Sequence, residues 1–171
     1  MYSVTVRVDA PGSAADAVFA ALTDLAGMPG RTPDVLAIDV HEGTPPTSTW
    51  RVRFGAGVLV WTEADEVDDD ARRFAFRALG GDIPVFFGAW ECGAVDDGAT
   101  VRFDARFDFE VPALADALGP VAGRALIASV TSIVTGIVGP SAHVVEAVHG
   151  AVPTAPDARL AVPRTAAPVH T

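Results

Sequence analysis

The sequence predicts an α+β fold: a curved antiparallel sheet of seven strands around one long C-terminal helix, with one or two short helices after the first strand. Three observations predict it. Seven short stretches alternate apolar and polar residues, the period of half-buried strands, and turn-forming residues separate those after the first helix. Consecutive, closely spaced strands favour antiparallel neighbours. From Pro112 the pattern becomes helical and apolar on most sides, so this helix is expected to be largely buried. With 171 residues, half of them apolar, the chain has room for one domain, read as residues 1–150. Residues 151–171 contain four prolines and no sustained periodicity, and are expected to form a disordered tail.

Each element has its own signal. "YSVTVRV" (2–8) alternates as a strand. "DAPGSAADAVFAALTDLAG" then starts a helix, with Ser13 as the expected N-cap, Asp16 at the capping-box position and Gly27 as the stop. "MPGRTPDV" (28–35) reads as a turn or a very short helix. Strands are expected at 36–41, 48–54, 58–67, 72–79, 85–92 and 99–110, divided by "EGTPPTS", "FGAG", "DDDARR", "GGDIP" and "DDG". The clearest alternation is "TVRFDARFDFE": Val101, Phe103, Ala105, Phe107 and Phe109 share one face, and Arg102, Asp104, Arg106, Asp108 and Glu110 the other. The long helix follows, and 141–149 reads as a shorter helical segment after "GP".

Composition excludes several function classes. The net charge is −10 and all twelve basic residues are arginines, which argues against nucleic-acid or anionic-membrane partners. An Ala/Val/Gly/Asp/Arg bias without lysine fits a GC-rich genome. Cys92 is the only cysteine, so no internal disulfide can form. The N-terminus lacks a signal-peptide pattern, and no uninterrupted apolar run reaches the ~18 residues of a spanning helix. A cytoplasmic location is expected. "HVVE" sets His143 and Glu146 three apart, but no second copy completes a di-metal site; His41 and His149 have no partner at metal-ligand spacing, and nothing resembles a phosphate loop or a serine-nucleophile elbow. No metal and no cofactor are expected.

The stretch "VLVWTEADEVDDD" (58–70) carries the chemistry. In a strand, Leu59, Trp61, Glu63 and Asp65 point the same way. The residues alone leave two readings open: an exposed acidic face, which is the commoner use of such residues, or a pair of carboxyls lining a hollow. Arg77 in "RRFAFRAL" reads equally as a cross-strand surface partner or as a group facing that pair. Trp61 and Trp90 read as core or as a ligand platform. Thr131, Ser132 and Thr135 reach the interior or bond helix carbonyls. Cys92 reads as a small buried residue.

The element order, with "VRVDAPGSAADAVFAALTDLAGMPG", "VWTEADEV", "FRALGGDIPVFFGAWEC" and "TVRFDARFDF", resembles the START-like helix-grip superfamily over about residues 3–149, and most of all its polyketide aromatase/cyclases. The resemblance implies an internal cavity between sheet and helix, lined from recurring positions. Met28, Thr32 and Val35 stand where aromatic residues are usual. Trp61, Glu63 and Asp65 stand where Trp, Ser and Arg are usual. Arg77 matches a retained arginine, and Phe86 and Trp90 match an apolar residue and a tryptophan. This places Glu63 and Asp65 inside, with acids where the family has Ser and Arg.

The resemblance implies a cofactor-independent cyclase/aromatase-type enzyme guiding cyclisation and dehydration of a polyketide-type intermediate. Glu63, Asp65 and Arg77 would be catalytic, and Met28, Thr32, Val35, Trp61, Phe86 and Trp90 would bind substrate. Paired carboxyls in different environments can divide base and acid roles. The alternative is a non-catalytic carrier of a hydrophobic small molecule on the same fold, which the loss of the usual Ser and Arg favours. A stress- or ribosome-associated module is a third reading, against which the net charge of −10 counts. The expected partner is a hydrophobic or polyketide-like small molecule, free or attached to a carrier protein, with neither nucleic acid nor membrane. The chain is expected to be a monomer or homodimer.

Overall fold

A computed structural model describes residues 1–152 of the chain. The expected tail beyond Val152 lies outside the described residues. The elements are β1 (Tyr2–Pro11), α1 (Ala15–Thr23), a 3-10 helix (Leu25–Gly30), β2 (Val35–His41), β3 (Thr47–Phe54), β4 (Gly57–Asp68), β5 (Arg73–Gly81), β6 (Val85–Val95), β7 (Gly98–Asp108), α2 (Pro112–Val138) and β8 (His143–Ala151). They form one sheet in the order β2-β3-β4-β5-β6-β7-β1-β8, antiparallel throughout.

The expected helix-grip arrangement is present, with eight strands rather than seven. The segment read as a short helix is β8, which pairs with β1 from Tyr2↔Ala151 to Asp9↔His143. The cause is tertiary. Once β7 occupies one side of β1, the other side presents a row of unpaired N–H and C=O groups, and a returning segment satisfies them as a strand. His143, paired with Glu146 at helical spacing in the sequence, is an exposed residue at the start of that strand.

Alternation gives the sheet one apolar face. Val4, Val6 and Val8 of β1, Phe74 and Phe76 of β5, Phe86 and Trp90 of β6, and Val101, Phe103 and Phe107 of β7 are buried in one cluster. Val18, Phe19 and Leu22 of α1 join it, as do Val130, Ile133 and Val134 of α2. The opposite face carries polar pairs, both across strands and along β7. Arg73 meets Glu91 at 3.3 Å, Arg102 pairs with Asp104, and Thr5 donates to Asp104 at 2.6 Å.

Two local expectations change. Ala14, not Ser13, is the N-cap of α1, and no side chain caps it. Asp16 instead binds Arg72 at 2.5 Å, tying the helix start to the β4–β5 turn. The helix α2 is less buried than its composition suggests. Its stretch Asp116–Val138 has mean hydropathy 1.7, long and apolar enough to cross a membrane, and only 22% of its most apolar window is buried. The helix packs mainly on β1, β8, β7 and α1, so one flank stays free of the sheet. Glycines permit this docking: a Cβ at Gly136 would lie 2.0 Å from the Arg31 carbonyl oxygen.

Candidate functional site

Between the apolar face and α2 lies a cavity of about 90 Å³. Its walls are mostly aromatic and aliphatic: Trp50, Trp61, Phe76, Phe86, Trp90 and Phe103 from the sheet, with Leu126, Ser129 and Ile133 from α2. Glu63 is the acidic residue in this wall, and Arg53 the basic one.

The strand geometry sets the polar end. In the β3–β4 ladder Trp50 faces Trp61 and Ser48 faces Glu63. The two indoles stack with centroids 5.9 Å apart and planes 7° apart. Phe86 meets Trp61 edge-on at 5.6 Å. Trp61 Nε1 donates to Glu63 Oε2 at 2.6 Å, and Trp50 Nε1 donates to Ser48 Oγ at 2.9 Å. A bulge helps to aim the pair. Register shifts between Thr62 and Glu63, so that Trp61 faces Gly81 while Glu63 faces Ala78. Gly81 has φ +122°, and a Cβ there would fall 2.5 Å from Trp61 Cα. Only glycine permits that conformation and that approach.

Glu63 is 2% exposed and Asp65 5% exposed. Burial, opposed by the Trp61 hydrogen bond and reinforced by Asp65, raises the Glu63 pKa to about 8. Burial raises that of Asp65 to about 6, with Ser48 opposing. Asp65 Oδ1 is buried without a hydrogen-bond partner. At neutral pH Glu63 is mostly a neutral carboxyl and Asp65 mostly a carboxylate. Cys92 is buried, and burial pushes its thiol up to about 12, so it is not a thiolate nucleophile.

The structure brings some of the anticipated residues together and separates others. Val35, Trp61, Glu63, Phe86 and Trp90 line the cavity. Asp65 is buried next to Glu63 along β4 but does not line it. Met28 is buried in the core. Thr32 is buried and hydrogen-bonds Ser132 at 2.7 Å, joining the segment before β2 to α2. Neither Met28 nor Thr32 reaches the cavity wall.

Arg77 corrects an expectation. It is exposed on the outer face between buried Phe76 and half-buried Ala78, with its guanidinium 5.5 Å from the Phe87 ring centroid. Strand parity is the reason: Phe76 pairs with Asp65, whereas Arg77 pairs with Ala64. The two acids therefore have no arginine from β5.

Ser48, Trp50 and Ser129 belong to the site and were not anticipated. The alternation of "TSTWRVRF" puts Ser48 and Trp50 on one face, a signal legible in sequence. Ser129 has none, because α2 is apolar around most of its circumference. Thr131 bonds the Ile127 carbonyl at 2.8 Å, and Thr135 is exposed. No cluster of three metal-ligating side chains occurs among the described residues.

Residues 12–132, more than two thirds of the chain, match the family described as polyketide cyclase / dehydrase and lipid transport. No curated protein matches significantly. Among solved structures, a protein from Thermus thermophilus superposes with TM-score 0.69 at 22% identity, covering 78% of this chain and 93% of its own. An aromatase/cyclase from Streptomyces sp. R1128 gives 0.68 at 17% identity, with 79% and 93% covered. A START superfamily protein from Mycobacterium smegmatis gives 0.68 at 12%, with 80% and 97% covered. At these identities the structures share the fold. With the match over residues 12–132, the chain belongs to the polyketide cyclase / dehydrase and lipid transport family, on the START-like fold.

Proposed function

We propose that the chain is a cofactor-independent cyclase/dehydratase acting on a polyketide-type intermediate folded into the cavity. One observation carries this reading: a buried carboxyl, Glu63, forms part of a mostly aromatic and aliphatic wall with its Oε2 fixed by Trp61. Because Oε2 faces an N–H donor, the acidic proton of the neutral form sits on Oε1. In aldol dehydration Oε1–H gives its proton to the departing hydroxyl while the other oxygen takes the proton from the adjacent carbon. Water leaves, a C=C bond forms and the carboxyl is regenerated, so no redox partner is required. Asp65 is a positioning residue, acting through the charge it places beside Glu63. The walls add orientation, holding a flexible chain in one reactive conformation. A multi-ring ligand exceeds about 90 Å³, and the flank of α2 that is free of the sheet is where the cavity would widen.

Liquid chromatography with mass spectrometry on a minimal polyketide synthase, run with and without this protein, tests the proposal. A single cyclised, dehydrated product should replace scattered spontaneous ones, and Glu63→Gln should lose it. Arg77→Ala should leave the profile unchanged. A profile indifferent to the protein would remove the activity on those chains and favour the second reading, carriage of a hydrophobic ligand. Two facts support that second reading: the outward position of Arg77 and the single carboxyl in the cavity wall.

A further inference from the structure

The acid pair lacks the cation that would ordinarily accompany it. Two carboxyls lie two residues apart on the buried face of β4, 98% and 95% buried by their exposures of 2% and 5%. Asp65 Oδ1 has no partner, and Arg77 points away. Arg53, the one basic residue of the cavity wall, is exposed near the β3–β4 hairpin. It lies five positions along β3 from Ser48, the residue facing Glu63, which is about 16 Å in an extended strand. Burying an unpaired acid cluster is costly, so a stably folded chain that keeps one beside a cavity invites a ligand group that completes it.

A bare metal ion does not fit, since no third ligating side chain joins the pair among the described residues and the wall around Glu63 is mostly aromatic and aliphatic. The aromatic surroundings fit an organic cation instead. Trp50 and Trp61 line the cavity with Glu63, and Trp61 turns its N–H edge to that carboxyl, so the indoles suit the apolar rings of such a ligand and Glu63 its ammonium group. The overall charge of −10 favours a cation's approach.

We propose that the cavity takes a ligand whose apolar ring system carries a basic amine, seated so that its ammonium group meets the Glu63 carboxyl. The inference rests on the reading that this cavity holds a hydrophobic ligand, and it names the polar group that ligand presents. On binding, the ammonium keeps its proton and Glu63 gives its own to solvent, leaving an ion pair backed by Asp65. The bound amine thereby converts Glu63 from an acid into a base.

The test is isothermal titration calorimetry with the single-ring probes benzylamine and its neutral isostere benzyl alcohol, at pH 7 in phosphate and in Tris. The amine should bind at least about tenfold tighter, with release of about one proton per site because Glu63 starts mostly protonated. In Glu63→Gln the ratio of affinities should fall to within about twofold. Asp65→Asn should narrow it as well. Equal affinities in the wild type, no proton release, or a preference that survives Glu63→Gln would each overturn the inference while leaving the cavity reading intact. If neither probe binds, both fail.

Discussion

At the residue scale the site is a stored cost. The unfolded chain releases the Glu63 and Asp65 protons near the ordinary values of 4.5 and 3.8, whereas the native chain holds them to about 8 and about 6. Between those limits the native state binds more protons, so its stability falls as pH rises. The favourable contribution is complete below about pH 4, and is lost through about pH 6 for Asp65 and about pH 8 for Glu63. For Glu63 the loss is on the order of a few kcal/mol. Glu63→Gln keeps an oxygen to accept from Trp61 and removes the titration. Its melting temperature between pH 5 and pH 8 should decline less steeply than that of the wild type and exceed it at pH 8. Parallel profiles would mean that Glu63 does not titrate as a buried acid. Arg77 shows the opposite economy: on the outer face it contributes a cation–π contact worth roughly 0.5–1 kcal/mol.

At the scale of elements, the helix α2 is held by close backbone approaches as much as by its apolar surface. Gly136 leaves room for the Arg31 carbonyl oxygen where a Cβ would lie at 2.0 Å, and Thr32 and Ser132 close the same junction by a hydrogen bond. Gly136→Ala forces the segment after the 3-10 helix away from α2, a change of the overpacking kind that costs roughly 1–3 kcal/mol. A melting temperature lowered by several degrees is expected. Gly30→Ala, where a Cβ meets nothing within 4 Å, is the control and should melt close to wild type. If both variants melt alike, the Arg31–Gly136 approach is not what fixes the helix. The bulge at Gly81 is the equivalent device on the sheet side, turning β4 so that Trp61 and Glu63 address the cavity together.

At the scale of the molecule, β8 extends the sheet beyond β1 and gives α2 a second strand to pack against. A chain ending at Ala142 would leave β1 with an unpaired edge beside buried Val4, Val6 and Val8. It should melt lower and associate with increasing concentration, as light scattering behind size-exclusion chromatography would record. Melting and association unchanged from the full chain would show that β8 is dispensable. The alternating strands from β1 to β7, the presence of α1 and the long apolar helix were legible in the residues alone, because side-chain period is a local property of the backbone. Parity also put Trp61, Glu63 and Asp65 on one face of β4, but left open whether that face is exposed or buried. Only the tertiary structure decided the rest. It made His143–Ala151 a strand where 141–149 reads as helical, because the free edge of β1 outweighs local helical spacing. It put Arg77 outside, because the register pairs Phe76 with Asp65. It withdrew Met28 and Thr32 from the cavity, brought in Trp50 and Ser129, and set Ser48 behind the wall as the acceptor for Trp50, because which buried residues border empty space depends on how helix and sheet meet.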